Sequence, residues 1–433
     1  MIVSMEKRTN NLDYWIRDIN LADDGYGQFK IAECDMPGIK ELLKLYKHQE
    51  PLAGTRITGC VTLTKETAVF IVALVKLGAS VRWCSDNQYA INDEASAYLA
   101  KLGIPVFGIR GETIEEYHWS MDRALDFRDK DGNFIGPTQI IDDGCDITRH
   151  ILNTQPQLLN NVIGITEQTT CGIQEIKKIN KNKMLTTALI NINDSFMKKY
   201  FDNFYGIKES LIVGLHNALS VQIAGKNVVV YGYGSVGKGS LEAVKGMGGK
   251  GYLVEVDILK AVQAHMDGYT VVSPKEAIKI GDIFITATGC INTINKNDIE
   301  QMKNGAILCN VGHGNMEYNV AALEEDSVIN SEVLNEYVKE FVFPNGKKIY
   351  SLCEGALLNM IAGTGNPPHV MNLTFVNHIL AQIDIHQNPE KYKENGMYEL
   401  SNSMIEKVAL LSFPELKSKL YQLNEEQKSY IGL

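Results

Sequence analysis

The stretch Lys226-Asn-Val-Val-Val-Tyr-Gly232-Tyr-Gly234-Ser-Val-Gly237-Lys-Gly239 constrains the fold more than any other part of this chain. Its β-branched apolar run reads as a buried parallel strand. The glycines that follow allow a tight turn whose backbone can approach a diphosphate at the N-terminus of the next helix. Ser240 to Val244 continues that helix towards Gly246 and Gly249, and Gly251-Tyr-Leu-Val-Glu255 supplies a second strand, completing a βαβ unit. Glu255 falls about 20 residues beyond the turn, where a carboxylate holds both hydroxyls of an adenosine ribose and repels a 2′-phosphate. The unit is therefore expected to bind NAD rather than NADP, through Gly232, Gly234, Ser235, Val236, Gly237 and Glu255. Glycine triplets also occur in ordinary loops, so a purely structural turn beside a surface glutamate is the competing reading.

At 433 residues, 45% of them hydrophobic, the chain can bury at least two cores and is expected to form two or three domains. The net charge of −10 is spread along the sequence, which excludes a nucleic-acid stripe and a basic membrane face. No apolar run is long enough to cross a bilayer, and residues 1–18 are too polar for a signal peptide. The eight cysteines show no CxxC or Cys/His ligand spacing and lie mostly in apolar segments. They are expected to be reduced interior thiols in a cytosolic protein, with no metal site. Small molecules and further copies of the chain are the expected partners.

Along the chain, Trp15 and Ile19 stand at helical spacing, Gly25-Tyr-Gly27 is expected to break the helix, and Pro37 to restart it. From Thr55 the pattern is α/β: strand 56–61, helix 65–77, strand 79–84, helix 93–102, strand 104–109, helix 114–127 and a short strand 138–141. That last strand ends in Asp142-Asp143-Gly144, and the strand at 163–166 leads into Glu167-Gln168-Thr169-Thr170-Cys171. Ligands collect at the carboxyl ends of parallel strands, which makes both loops candidates for chemistry. Solvated turn aspartates capping a helix are the bland alternative at 142–143. Asp194, Lys198 and Asp202 recur one helical turn apart and are expected on one face, which by spacing alone reads as an exposed salt-bridge ladder. Strands 283–286 and 306–310 lead into Ala287-Thr288-Gly289-Cys290 and Val311-Gly312-His313-Gly314. A histidine flanked by glycines at a strand end more often reaches a ligand than a core.

Gly59-Cys-Val-Thr62-Leu-Thr64-Lys-Glu66, Asp142-Asp143-Gly, Thr169-Thr-Cys-Gly, Asn193-Asp-Ser, Lys198, Phe201-Asp202-Asn203-Phe-Tyr-Gly, the glycine turn and Asn310-Val-Gly-His313 occur in this order. In this set, and over nearly its whole length, the chain resembles the S-adenosyl-L-homocysteine hydrolase family. The resemblance implies that tightly held NAD⁺ oxidises a ribose 3′-hydroxyl to a ketone, which acidifies the 4′-hydrogen. The 5′-substituent then leaves, water adds at C5′, and the hydride returns to C3′.

The resemblance also assigns roles. Lys198 takes the 3′-hydroxyl proton, Asp202 orients it and binds the ribose hydroxyls, and Asn203 lies between sugar and nicotinamide. Asp143 handles the protons near C4′ and C5′, and His313 sits near the 3′ and 5′ oxygens. Glu66, with Thr64 beside it, reads the exocyclic amine of adenine. Thr169, Thr170, Cys171, Asn203, Thr288, Gly289 and Asn359 join the NAD contacts. Several positions depart from the family pattern. Thr62 replaces a histidine that helps protonate the leaving 5′-group, Gln168 a ribose-binding glutamate, and Asn366 a histidine beside the base. Ile207 stands for a cysteine near the nicotinamide, and Ser235 for an aspartate in the turn.

The expected architecture is thus a substrate-binding α/β domain over residues 1–202, a Rossmann domain over 203–360, a return to the first domain over 361–399 and an oligomerisation tail over 400–433, assembled as a dimer or tetramer. Three functions fit: hydrolysis of S-adenosylhomocysteine, the same redox elimination on another nucleoside as a dehydratase, and a silent NAD-binding regulator.

Overall fold

The computed structural model describes residues 13–182 and 184–432, so residues 1–12 of the polar N-terminal segment lie outside the described residues. Six strands come first: β1 (Arg56–Cys60), β2 (Ser80–Cys84), β3 (Val106–Phe107), β4 (Gln139–Asp142), β5 (Gly164–Glu167) and β6 (Ala188–Asn191). Eight follow the first long connecting helix: β7 (Asn227–Tyr231), β8 (Lys250–Val254), β9 (Thr270–Val271), β10 (Ile283–Thr286), β11 (Ala306–Asn310), β12 (Asn330–Asn335), β13 (Val338–Val342) and β14 (Lys348–Leu352). The last strand is β15 (Gly396–Glu399).

The first sheet has the order β15-β6-β5-β4-β1-β2-β3 and is parallel throughout. The second has the order β12-β13-β14-β11-β10-β7-β8-β9, parallel except for the antiparallel pairs β12–β13 and β13–β14. Val228, Val229 and Val230 are fully buried, as a strand covered by helices on both faces requires. Each sheet reverses its winding direction once, beside β1 (between β2 and β4) and beside β7 (between β8 and β10). Crevices open outside the carboxyl ends of strands at such points, giving one for each sheet.

The chain builds the second sheet and then returns. The helix Pro368–Gln387 is buried without a break from Asn372 to Ile383, the mark of a helix enclosed by its own protein. Phe375 stacks on Phe70 at 4.5 Å between ring centroids. Its polar side chains bond inward: Gln382 Nε2 donates to Ile140 O at 2.9 Å, and Gln139 Nε2 donates to Gln382 O at 2.8 Å. No helix of the described residues is long and apolar enough to cross a membrane.

Four sequence expectations need correction. Trp15 belongs to a parallel bridge with Phe107, pairing with the edge of the sheet in place of a helix. Gly25 and Gly27 do not break a helix; Ala22–Cys34 runs through both. A Cβ at Gly25 would lie 1.9 Å from Glu94 O, so the glycine serves close approach to the helix Asp93–Lys101. The segment bearing Lys198 is no continuous helix. It is a single turn, Phe196–Lys199, followed by a π turn, Asp202–Gly206, and Asp194 points to Lys199 Nζ at 3.1 Å, away from the expected ladder. Part of the stretch expected as a tail from 400 belongs to the first core: the helix Asn402–Ser412 packs there, with Val408 fully buried and Asn372 Nδ2 donating to Ser412 Oγ at 3.1 Å.

Candidate functional site

The first crevice collects loops from five strand ends, those of β1, β2, β4, β5 and β6. After β6, the short turn Phe196–Lys199 buries Lys198, whose side chain is 5% exposed. The π turn that follows carries Asp202 and Asn203 back onto it; insertions of this kind are frequent at functional sites. Lys198 Nζ donates to Asn203 Oδ1 at 2.7 Å and stands 3.5 Å from Asp202 Oδ2. Asp202 is held from the other side by Thr374 Oγ1 at 2.8 Å and Asn366 Nδ2 at 2.6 Å, and Asn366 Oδ1 in turn accepts from Ser210 Oγ at 3.0 Å. Lys198, Asp202, Asn203 and Asn366 are thus one connected group.

Asp143 follows β4, half-buried at the mouth of the crevice, and Gln168 Nε2 donates to its Oδ2 at 2.6 Å. Burial pushes the Asp143 carboxyl up to about 7, with the Gln168 hydrogen bond and the Lys198 charge pulling the other way. Behind Gln168 lies His378, fully buried, with Nε2 at 3.0 Å from Gln168 Oε1 and Nδ1 at 2.8 Å from Thr166 Oγ1. Burial pushes this imidazole down to about 3, helped by the Lys198 charge, so it is neutral and carries one proton. An amide that donates to Asp143 presents its carbonyl to His378, which places that proton on Nε2.

Thr62 follows β1 and donates from Oγ1 to Asp86 Oδ1 at 2.6 Å, beyond the end of β2. Thr64 Oγ1 accepts from Thr67 N and caps the helix Lys65–Lys76, whose first turn buries Glu66. Glu66 Oε1 lies 2.8 Å from Lys65 Nζ, but the angle makes no hydrogen bond, leaving this buried oxygen with acceptor capacity. His313 sits half-buried in the loop after β11. Its imidazole makes no hydrogen bond among the described residues and lies towards Asp146 of the opposite lobe.

Two buried carboxylates hold the loops in shape. Asp142 accepts from Thr148 N and Oγ1 at 2.9 and 2.5 Å. Glu167 accepts from Cys145 N at 2.8 Å, Thr169 N at 2.7 Å and Thr169 Oγ1 at 2.6 Å. Thr169 is therefore tied to its own loop, whereas Thr170 is exposed, with only Asn193 Oδ1 at 3.2 Å. Burial pushes the neighbouring Cys171 thiol up to about 12.

The second crevice fits a dinucleotide. Gly232 adopts φ 97°, and a Cβ at Gly237 would lie 1.9 Å from Gly232 O, so neither tolerates a side chain, while space around Gly234 is open. Gly234 starts the helix Ser235–Gly246 without a side-chain cap, which leaves the first N–H groups, from Ser235 and Val236 onward, to an anion. Glu255, just beyond β8, is fixed over the turn by Tyr233 N at 2.6 Å and Val256 N at 2.7 Å. Across the crevice, Glu317 accepts from Thr288 N at 2.9 Å and Gly289 N at 2.7 Å. Asn359 is buried, yet its Oδ1 has no hydrogen-bond partner among the described residues, an acceptor waiting for a donor. None of the described residues form a cluster suited to a metal ion.

Sequence reading did not single out Asp86, His378, Glu317 or the structural role of Glu167. Asp86 was open to the same strand-end rule that marked Asp143. His378 lies mid-helix, and nothing in its neighbours' spacing sets it apart.

Residues 13–157 match the sequence profile of S-adenosyl-L-homocysteine hydrolase, and residues 203–365 match that of the S-adenosyl-L-homocysteine hydrolase NAD binding domain. NAD is therefore the dinucleotide of the second crevice. Among solved structures, a dipicolinate synthase chain from Bacillus subtilis is 11% identical, covering 77% of this chain and 98% of that one, with a TM-score of 0.43. A dipicolinate synthase chain from Bacillus halodurans is 14% identical, covering 64% and 88%, with a TM-score of 0.41. Likeness this low says nothing about chemistry.

Proposed function

Because the chain belongs to the S-adenosyl-L-homocysteine hydrolase family, we propose that it oxidises a nucleoside at the ribose 3′-carbon and eliminates its 5′-substituent, most like the reversible hydrolysis of S-adenosylhomocysteine to adenosine and homocysteine. The observation that carries this reading is the buried Lys198 amine, held against Asn203 Oδ1 at 2.7 Å and within 3.5 Å of Asp202 at a strand-end crevice. An exposed salt-bridge ladder has no such enclosure.

When bound, the nicotinamide supplies the hydride acceptor for C3′. Lys198 takes the proton of the 3′-hydroxyl. Asp202, fixed by Thr374 and Asn366, orients the ribose hydroxyls and holds the lysine in place. A ketone at C3′ acidifies the 4′-hydrogen, and Asp143, with its pKa near 7, is matched to removing that proton at neutral pH. His313 supports the 3′ and 5′ oxygens from the opposite lobe. Glu66 offers its unsatisfied Oε1 to an exocyclic amine on the base. Glu255 and the glycine turn hold the adenosine half of NAD, with Thr169, Thr170, Cys171, Thr288, Gly289 and Asn359 around it.

One observation favours a second reading, redox elimination on a different nucleoside with loss of water. The Asn366 amide is turned inward to Asp202 and Ser210, so it does not read the base. All eight cysteines are free, which supports a reducing, cytosolic setting, and self-association as a dimer or tetramer belongs to the same proposal.

Purified protein incubated with a nucleoside panel, followed by absorbance of bound NADH and mass spectrometry of products, tests the reading. Homocysteine release supports the first substrate and loss of water the second. Failure of every nucleoside to reduce bound NAD overturns both and leaves a regulator.

A further inference from the structure

The crevice has a second carboxyl group that the roles above do not use. Asp86 lies in the loop beyond β2, beside the point where the first sheet reverses direction, and is half-buried. Its Oδ1 accepts from Thr62 Oγ1 at 2.6 Å. Tyr117 OH donates to Asp146 Oδ2 at 2.6 Å and lies 3.2 Å from the Asp86 backbone carbonyl, sharing its one proton between them, so the loop is anchored beside the β4 turn that carries Asp143. No cation pairs with Asp86 among the described residues. Burial and the negative charges of Asp143 and Asp146 raise its pKa well above the ordinary carboxyl value, with the Thr62 hydrogen bond opposing them. Two carboxyl groups sharing a low-dielectric site titrate apart, one keeping a proton where the other has lost it.

We propose that Asp86, positioned by Thr62, is the acid that protonates the departing 5′-group and the base that receives a proton from the incoming water. The inference rests on the 3′-oxidation reading and answers what Thr62 leaves open, since a threonine hydroxyl by itself does not titrate near neutrality. The step balances. Asp143 removes H4′, and the C4′–H electron pair becomes the C4′=C5′ bond. The C5′–X bond breaks with its electron pair on X, and X takes the Asp86 proton. In the addition that follows, the oxygen of water bonds to C5′, its proton goes to the Asp86 carboxylate, and Asp143 gives its proton back to C4′. A carboxyl that keeps its proton beside X suits a group that leaves poorly as an anion, so the inference points to substrates that leave as an alcohol, water or an unactivated thiol.

The test separates the two halves of the reaction in single turnovers, alongside NAD content and melting temperature. Asp86→Asn is expected to keep its NAD and to form NADH within a few-fold of the unsubstituted rate on addition of nucleoside, while release of the 5′-group falls roughly 10²-fold or more. Thr62→Val is expected to show the same split with a smaller fall, and it decides the matter if Asp86→Asn does not retain NAD. Release at the unsubstituted rate in the deciding variant overturns the inference about Asp86 alone. Absence of NADH formation in the unsubstituted protein overturns the oxidation reading, and this inference with it.

Discussion

Lys198 and Asp143 divide the chemistry between an amine and a carboxyl, and each has its own signature. Lys198→Ala should leave NAD bound and slow NADH formation at least about 10²-fold, read by stopped-flow absorbance; unchanged reduction removes Lys198 from its role. Asp143 must be ionised to accept a proton. With its pKa near 7, release of the 5′-group should rise tenfold per pH unit below that value and level off above it for as long as Asp86 keeps its proton, and Asp143→Asn should abolish that rising limb. Glu112 is a stability counterpart away from the chemistry: burial raises it to about 8 from an ordinary 4.5. The folded form holds a proton that the unfolded chain has lost, so this contribution is full below the unfolded pKa and disappears as pH rises through about 8. Glu112→Gln should therefore flatten the fall in melting temperature between pH 5 and 8; a variant curve parallel to the original refutes the assignment. At this scale the sequence showed which residue types were present, because Asp143, Lys198 and Glu255 sit in recognisable strings. It did not show their partners. Asp86 and His378 acquire meaning only when β2 and the helix Pro368–Gln387 are folded against β1 and β5.

Among elements, β1 to β5 of the first sheet and β7, β8, β10 and β11 of the second were legible because short β-branched runs alternate with helices closed by glycine, as at Gly78 and Gly103, which both take positive φ, whereas β6, β9, β14 and β15 were not singled out. The hairpin β12–β13 was not, since Asn330–Asn335 is exposed throughout and shows no buried face. Nor was the π turn at Asp202–Gly206, whose geometry depends on Asn366 and Thr374 gripping Asp202 from more than a hundred residues away in sequence. For the helix Pro368–Gln387 the sequence implied a return to the first domain over 361–399. That helix brings Thr374 and His378 to the site from behind, with Phe375 locked on Phe70. Phe375→Ala should cost about 3–5 kcal/mol in urea unfolding and loosen the site as well as the core. A loss under about 1 kcal/mol means this helix is not what holds the first lobe together.

For the whole molecule, the two crevices belong to different sheets, so cofactor and substrate residues meet only where the lobes face each other. Arg110 touches both sides, reaching Glu336 Oε1 at 3.1 Å and Ile361 O at 3.3 Å. Removing NAD should lower the melting temperature and restoring it should recover the loss, by about 2.7 kcal/mol at a hundredfold excess over the dissociation constant. Scanning calorimetry of stripped and reloaded protein checks this. The placement of β15 also affects how the protein is made. β6 gains its second neighbour only from Gly396–Glu399, after the whole second sheet has been synthesised. Until the ribosome delivers those residues, the nascent chain carries an unpaired parallel strand, open to the same strand of another polypeptide. Chains that terminate early, just short of residue 396, are thus the ones that cells must capture or degrade, although every side chain proposed for the reaction has by then been made.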